Sequence, residues 1–439
     1  MSSPNGWEDF YGDTQSAWAV LLANWHEHCD WHPPLYYFFT SLILYLFESQ
    51  WFIYFFQLIL SFISLILVYK ICKLFFSEKV ALISIFIIAI EPLIAWHSFL
   101  LVSENLSIPI ALLGFLNFFK FLKFAISRNL YYAGFFFGLA TLTRLNSLVL
   151  VPILGLLLLF LYLIRRPAGL DILGNISFRK LIFQFFAFNL IFFLTLSPWV
   201  VRNKIVYDRL TFANVLKTNM YFYNVPALMM VKQNISQGEA GDIVRARAQA
   251  ALGDNVGDQG DCSRFSISEL NRQFDFYDGQ SRQYIMDNLA LYSKIHIIRA
   301  LPFFFQPGYL DLLDAYRGDR VNDFSKPDVT GSILRGDFGM IVNYLKNSGL
   351  AAFIYLVGVL LWGLLTLSLL VGLFYSYWRD KKTFVFFITA AISVFIAALL
   401  CSPVITARYR MDLDVFFFAP LVYLIGLVFS SKRSNNESR

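Results

Sequence analysis

Residues 12–47 read GDTQSAWAVLLANWHEHCDWHPPLYYFFTSLILYLF. Up to Trp31 the N-terminal segment carries Glu8, Asp9, Asp13, Glu27 and Asp30, with His26 and His28 and then His32, and no Lys or Arg. At Pro33-Pro34 it turns into the apolar run Leu35–Phe47. That run is too short to cross about 30 Å of hydrocarbon, which takes about 20 helical residues. Pro at the first turn suits a helix start, and a helix lying along the membrane interface fits the run best. An acidic, His-bearing, aromatic segment therefore heads the chain.

Longer apolar segments follow. Spans are predicted near 51–69, 80–96, 104–122, 130–143, 146–164, 181–201, 350–376, 383–405 and 414–430. The fourth is short, with Arg144 close behind it. With 57% apolar and only 15% charged residues, the 439-residue chain is far from a soluble globular average. The expected fold class is an all-α polytopic membrane protein with about nine transmembrane helices, an interfacial helix and one large external loop.

Charge orients it. Lys70, Lys73 and Lys79; Lys120, Lys123 and Arg128; Arg165, Arg166, Arg179 and Lys180; Arg379, Lys381 and Lys382; and Lys432 with Arg433 all fall on one face if the spans alternate. That face should be cytoplasmic. The net charge of +6 is thus explained by topology and calls for no nucleic acid. The opposite face receives residues 1–50, the turn His97–Ser103, the loop 202–349 and the turn around Arg408. The chain divides into an external loop with its interfacial helix (1–50), six spans (51–201), an external region (202–349), three spans (350–430) and a cytoplasmic tail (431–439). An external N-terminal segment without a signal peptide leads us to expect a further span upstream of Met1. Cys29, Cys72, Cys262 and Cys401 are scattered without a CxxC pair, so no disulfide framework is expected. Within 202–349, helices are expected near 236–252 and 266–300, joined by the turn-rich Gly253–Cys262.

Five features project to the external side. Asp13, beside Glu8 and Asp9, is either a general base towards a hydroxyl or amine or a solvated acidic turn. His26, Glu27, His28, Cys29, Asp30 and His32 are metal-ligand types at a spacing that matches no standard zinc pattern; an interfacial polar cluster is the plainer reading. Glu104, with His97, stands at the outer end of the third span, where an acid either borders a wet cavity or caps the helix. Arg202 in Ser197-Pro198-Trp199-Val-Val-Arg202-Asn203 and Arg408-Tyr409-Arg410 face outward, where topology does not favour cations. They either snorkel to headgroups or grip a phosphate in a bidentate way. Acids to activate an acceptor and arginines to hold a phosphate, beside a bilayer, imply a phosphorylated lipid donor.

In this order the residues resemble the polyprenyl-phosphate-dependent glycosyltransferases of the GT-C fold, the group of protein O-mannosyltransferases and lipid A aminoarabinose transferases. The resemblance rests on Gly12-Asp13-Thr14, Asp30-Trp31-His32-Pro33-Pro34-Leu35-Tyr36-Tyr37, Tyr69-Lys70 through Phe76, Glu91-Pro92 through Ser103-Glu104, Gly138 through Arg144, Pro198-Trp199-Val-Val-Arg202-Asn203 and Ala407-Arg408-Tyr409-Arg410. It implies that Asp13 is the catalytic base or an acceptor-positioning carboxylate, and Glu104 a second acid bordering the cavity. It also implies that Arg202 and Arg408 contact phosphate and that Asp30 and His32 shape the acceptor side, with Tyr36, His97 and Arg410 as further substrate-binding candidates. It implies a polyprenyl-phosphate sugar as donor, a lipid, glycan or protein as acceptor, and no metal that the chemistry strictly requires. Thr14 stands where a second acid is common in the family, and Met411-Asp412 where a Pro is usual. A bacterial inner membrane is the expected location. The rival readings are a transporter or flippase of lipid-linked intermediates, which would place ionisable residues in broken helices near the midplane, and a non-catalytic membrane scaffold.

Overall fold

The computed structural model describes residues 32–437 apart from 146, 167, 171, 254–255, 257–264, 311, 313–328, 337 and 403–406. Asp13 and Asp30 therefore lie outside the described residues, as do Glu8, Asp9 and the His26–Asp30 cluster. Every regular element among the described residues is helical.

The run after Pro33-Pro34 forms α1, Leu35–Phe47. It buries Tyr36, Thr40, Ser41 and Ile43 on one side and leaves Leu42, Tyr45, Leu46 and Phe47 exposed. That two-sidedness, at 13 residues, suits a helix half-sunk at an interface rather than one that crosses. The bundle follows as α2 (Trp51–Phe75), α3 (Glu78–Ile90), α4 (Pro92–His97), α5 (Glu104–Phe124), α6 (Ser127–Thr143), α7 (Ser147–Ile164) and α8 (Phe178–Tyr207).

The nine expected spans all meet helix, but not nine continuous ones. Among the described residues six helices are long and apolar enough to cross a membrane, or seven if the last, bent by 66° between Ala407–Leu413 and Val415–Phe429, counts as one span. The second expected span breaks at Glu91, because a residue before proline is pushed out of the α region. Glu91 is extended at φ −63° and ψ 121°. Its Oε2 then accepts from the Ile94 N–H at 2.7 Å and starts α4 as its N-cap. The fourth expected span is α6, a helix of 17 residues.

α5 lies innermost, with 72% of its apolar stretch buried. Its phenylalanines make the core: Phe115 meets Phe416 edge-on at 4.8 Å, and Phe119 meets Phe75 edge-on at 5.0 Å, the geometry that ring quadrupoles favour. Small residues bring α6 against α8. A Cβ at Gly134 would lie 2.7 Å from the Phe188 carbonyl oxygen, and one at Gly138 would lie 2.6 Å from Thr195 Cβ. This close approach, common between membrane helices, fixes α6 and hence Arg144 at its end.

At one end of the bundle Lys123 Nζ donates to Leu74 O at 2.9 Å, the Leu173 N–H to Leu122 O at 2.8 Å, and Arg165 to the carbonyls of Gly174 and Ile176. This is the end where the sequence collects Lys and Arg. The other end carries α1, α4 and the large loop region. There α9 (Val215–Asn219) runs through a π-turn, Met220–Asn224, into α10 (Val225–Gln233), followed by α11 (Gln237–Leu252), α12 (Ile267–Met286), α13 (Leu289–Ala300) and α14 (Pro302–Phe305). Capping boxes start α11 (Ser236 with Glu239) and α12 (Ser266 with Glu269), each satisfying two otherwise orphan N–H groups. The region has its own core around Tyr221, Met229, Val244, Phe274 and Tyr277. The short α15 (Val329–Arg335) and α16 (Gly339–Asn347) lead to α17 (Gly349–Arg379), α18 (Lys381–Cys401), a 3-10 turn (Ala407–Leu413) and α19 (Val415–Glu437). One joint ties the loop region to the bundle: His296 of α13 donates from Nε2 to Leu399 O at 2.8 Å, and Ser402 Oγ donates to His296 O at 2.7 Å.

Candidate active site

A cavity of about 590 Å³ opens at this second end. His32 and Tyr36 come to it from the start of α1, Glu104 from the start of α5, Arg144 from the end of α6, and Arg408 from the 3-10 turn. α9 and the π-turn add Asn219 and Asn224, and α13 adds His296. π-turns recur at functional sites because the extra residue re-aims side chains. Here Asn224 Oδ1 accepts from Tyr292 Oη at 2.8 Å, so the turn is braced from α13.

The polar centre is one carboxylate between two guanidiniums. Glu104, at 2% side-chain exposure, pairs through Oε1 with Arg144 Nη1 and with Arg408 Nε at 3.2 Å. Tyr409 lies beneath both arginines, with their guanidinium carbons 5.5 and 5.6 Å from its ring centre, a stacking that orients cations. The two arginines differ in access: Arg144 is 9% exposed and Arg408 46%. Arg144 holds Glu104, whereas Arg408 keeps most of its fork towards the open space. Among the described lining residues, two arginines and one glutamate are the only Lys, Arg, Asp or Glu, so this wall is positive while its histidines are neutral.

His32 is neutral over most of the working range. Although the residue keeps an exposed surface, the surrounding protein, then the charges of Arg408 and Arg144, depress its pKa from 6.5 to about 4. Any stabilisation from the neutral ring is thus complete above pH 6.5 and is lost as pH falls towards 4. Binding of an anionic lipid headgroup between pH 5 and 8 should accordingly show no step that depends on His32. Titrating polyprenyl-phosphate affinity of the wild type and of His32→Asn checks this, and a step near 6.5 that disappears in the variant would contradict it. His296 is likewise held below the usual histidine range, by burial first. Its Nε2 is the donor to Leu399 O, which leaves Nδ1 as the bare nitrogen.

The sequence-predicted residues divide in three. His32, Tyr36, Glu104 and Arg408 are brought together, with Tyr36 Oη accepting from Gln57 Nε2 at 2.9 Å. Asp13 and Asp30 lie outside the described residues. His97, Arg202 and Arg410 are placed behind the wall rather than on it. His97 is buried, with Nδ1 2.8 Å from Leu93 O at the end of α4. Arg202 is turned by α8 onto Trp199 and Tyr207, at 4.7 and 5.3 Å from their rings, and donates to Asn203 Oδ1 at 2.9 Å. Arg410 stacks 3.3 Å from the Trp362 ring centre and donates to Phe303 O at 3.1 Å. Neither Arg202 nor Arg410 lines the cavity. Arg144 and His296 do line it without having been singled out. The signal for Arg144 was present: if the spans alternate it faces outward, like Arg202 and Arg408. No three His, Cys, Asp or Glu side chains gather as metal ligands among the described residues.

Residues 31–201 match the family model of the dolichyl-phosphate-mannose-protein mannosyltransferases. Over that stretch, less than half of the chain, it is similar to glycosyltransferases of the GT-C type. The match runs from Trp31 into α8, and so covers His32, Tyr36, Glu104 and Arg144 but not Arg202, Arg408 or Arg410. No curated protein matches the chain. Among solved structures, the archaeal oligosaccharyltransferase AglB from Archaeoglobus fulgidus, in complex with an inhibitory peptide and a dolichol-phosphate, matches at 13% identity with a TM-score of 0.44. The match covers 98% of this chain and 48% of that one, so the chain spans about half the length of that protein.

Proposed function

We propose that the chain is a membrane glycosyltransferase that moves a sugar from a polyprenyl-phosphate donor to a lipid, glycan or protein acceptor on the external face. The observation that carries this reading is the positive wall: Arg408, half-exposed and fixed through Nε on Glu104, offers the rest of its fork to the cavity, with Arg144 behind it. A guanidinium held in this way suits a phosphate geometrically as well as by charge. The donor's phosphate sits on Arg408, and the sugar extends towards His32 and Tyr36. Asp13 takes the proton from the acceptor hydroxyl or amine as that atom attacks the anomeric carbon. The bond from the anomeric carbon to the phosphate oxygen breaks, and polyprenyl phosphate leaves with its charge met by the arginines. The protein's share is positioning and a preorganised field. A single displacement inverts the anomeric configuration.

The transporter reading rests on Glu91 at its broken helix. Glu91 already serves there as the N-cap of α4, which accounts for the acid without a transport role.

Asp13 is the sharpest test of the chemical step. Asp13→Asn should abolish transfer of radiolabelled sugar from polyprenyl-phosphate donors in membranes, with expression and donor binding intact. Transfer at the wild-type rate would remove Asp13 from the mechanism and pass the role to another acid.

A further inference from the structure

One stretch of the loop region runs below the end of the bundle. α17 and α18 are joined at Asp380 and pack on each other, Gly372 of one against the Phe387 ring of the other, so residues equally far from Asp380 stand at equal depth. α18, at 21 residues, has the length of the hydrocarbon, and its end at Cys401 marks the edge on the cavity side. His296 of α13 meets Leu399 close to that edge. Further along the chain, the Phe304 carbonyl accepts from Thr366 Oγ1 of α17 at 2.9 Å. Thr366 is 14 residues from Asp380 and Cys401 is 21, which at 1.5 Å per residue puts this contact about 10 Å inside the edge.

The chain at that depth is suited to hydrocarbon. From Ile297 to Phe305 the one charged residue is Arg299, which is buried and donates to Gln237 Oε1 at 3.0 Å. Ala300 and Phe303 join the bundle core with Trp362 and Leu365. Ile297, Leu301 and Phe305, spaced by four, are left 60%, 40% and 39% exposed. The turn back is covered in protein, as irregular backbone at such depth requires: Pro307, Gly308 and Leu310 are buried. Pro307 has no N–H to give the Phe303 carbonyl. Arg410 Nη1 supplies the donor instead, at 3.1 Å, a cation where a helix end favours one. A Cβ at Gly308 would lie 2.6 Å from Ala407 Cβ, so the tip also touches the turn that carries Arg408.

We propose that residues 297–305 form a re-entrant element sunk into the cavity-side leaflet, with Ile297, Leu301 and Phe305 against the acyl chains and Arg410 as the cap of its tip. Lipid is the occupant of this face because α17, at the same depth, turns Leu360 and Leu364 outward at 72% and 51% exposure. The loop region is thereby seated in the bilayer, and the bilayer holds the segment on which the Arg408 turn rests. The insertion does not depend on sugar transfer at the cavity.

Photocrosslinking of the full chain in phosphatidylcholine nanodiscs tests this. The photoreactive residue p-benzoylphenylalanine is placed at one position at a time: Leu301, Phe305, Leu364 as the reference on a spanning helix, and exposed Asp278 of α12 as the reference outside the bilayer. Intact mass after illumination should show phospholipid adducts from Leu301 and Phe305 at a yield close to that from Leu364 and about tenfold above that from Asp278, since hydrocarbon lies within reach of the first three alone. A yield at Phe305 no higher than at Asp278, with Leu364 reacting, would overturn the proposal. A protein–protein adduct in place of the lipid one would overturn it equally, since another chain would then cover this face. Each probe replaces a solvent- or lipid-facing side chain, and the adduct at Leu364 reports correct insertion.

Discussion

Arg408→Ala should lower sugar transfer by about 10²–10³-fold, the loss that follows removal of one preorganised donor to developing charge. Arg408 carries this expectation because it is the more open of the two paired arginines that line the cavity, at 46% exposure against 9% for Arg144. The loss should fall mainly on turnover, since the phosphate gains charge as the bond to the sugar breaks. Arg408→Lys keeps the charge but loses the planar fork and the contact through Nε, so it should recover only part of the rate. Initial rates on purified protein, with the thermal midpoint as a control for folding, check both variants. Arg202→Ala makes the contrast: Arg202 packs on Trp199 and Tyr207, so its loss should appear in stability first. A full rate in folded Arg408→Ala would exclude Arg408 as the phosphate contact.

Glu104→Ala should destabilise the protein by about 3–5 kcal/mol, the cost of stranding a buried partner charge. Glu104 is 2% exposed and holds Arg144, itself 9% exposed; without it two guanidiniums face each other across Tyr409. Glu104→Gln keeps the shape but not the charge, so it should recover little. Removing the stranded cation as well, in Glu104→Ala with Arg144→Met, should return much of the stability while abolishing the site. Unfolding in detergent followed by near-ultraviolet dichroism gives the order of the variants. A Glu104→Ala protein as stable as the wild type would mean that the ion pair is not the hinge between α5, α6 and the 3-10 turn.

Much of the fold was legible because its signals are local. The 13-residue helix after Pro33-Pro34, the capped helices at Ser236 and Ser266, and the alternation of Lys- and Arg-bearing turns all follow from length, caps and charge. The break at Glu91 was legible too, since Pro92 disfavours the helical conformation at its neighbour, but an apolar window runs straight over it. The site was less legible for a different reason. Arg202 and Arg408 have the same signal in sequence, an outward arginine beside aromatic residues. Only the rotation of α8 sends one onto Trp199 and Tyr207, while the 3-10 turn aims the other at the cavity. Glu104 fitted both a cavity acid and a helix-start acid, and it is both, lining the cavity from the first turn of α5. His296 had no local signal, because what brings it to the site is the contact with Leu399 and Ser402, more than 100 residues away.

The most direct test is transfer by the wild type itself. Purified protein is offered radiolabelled sugars on polyprenyl phosphate and the same sugars on nucleotides, and the product's anomeric configuration is read by NMR. The expected result is transfer from a polyprenyl-phosphate sugar only, with inversion at the anomeric carbon and release of polyprenyl phosphate. Transfer from the nucleotide sugars, or retention in the product, would contradict direct displacement from a lipid-held phosphate.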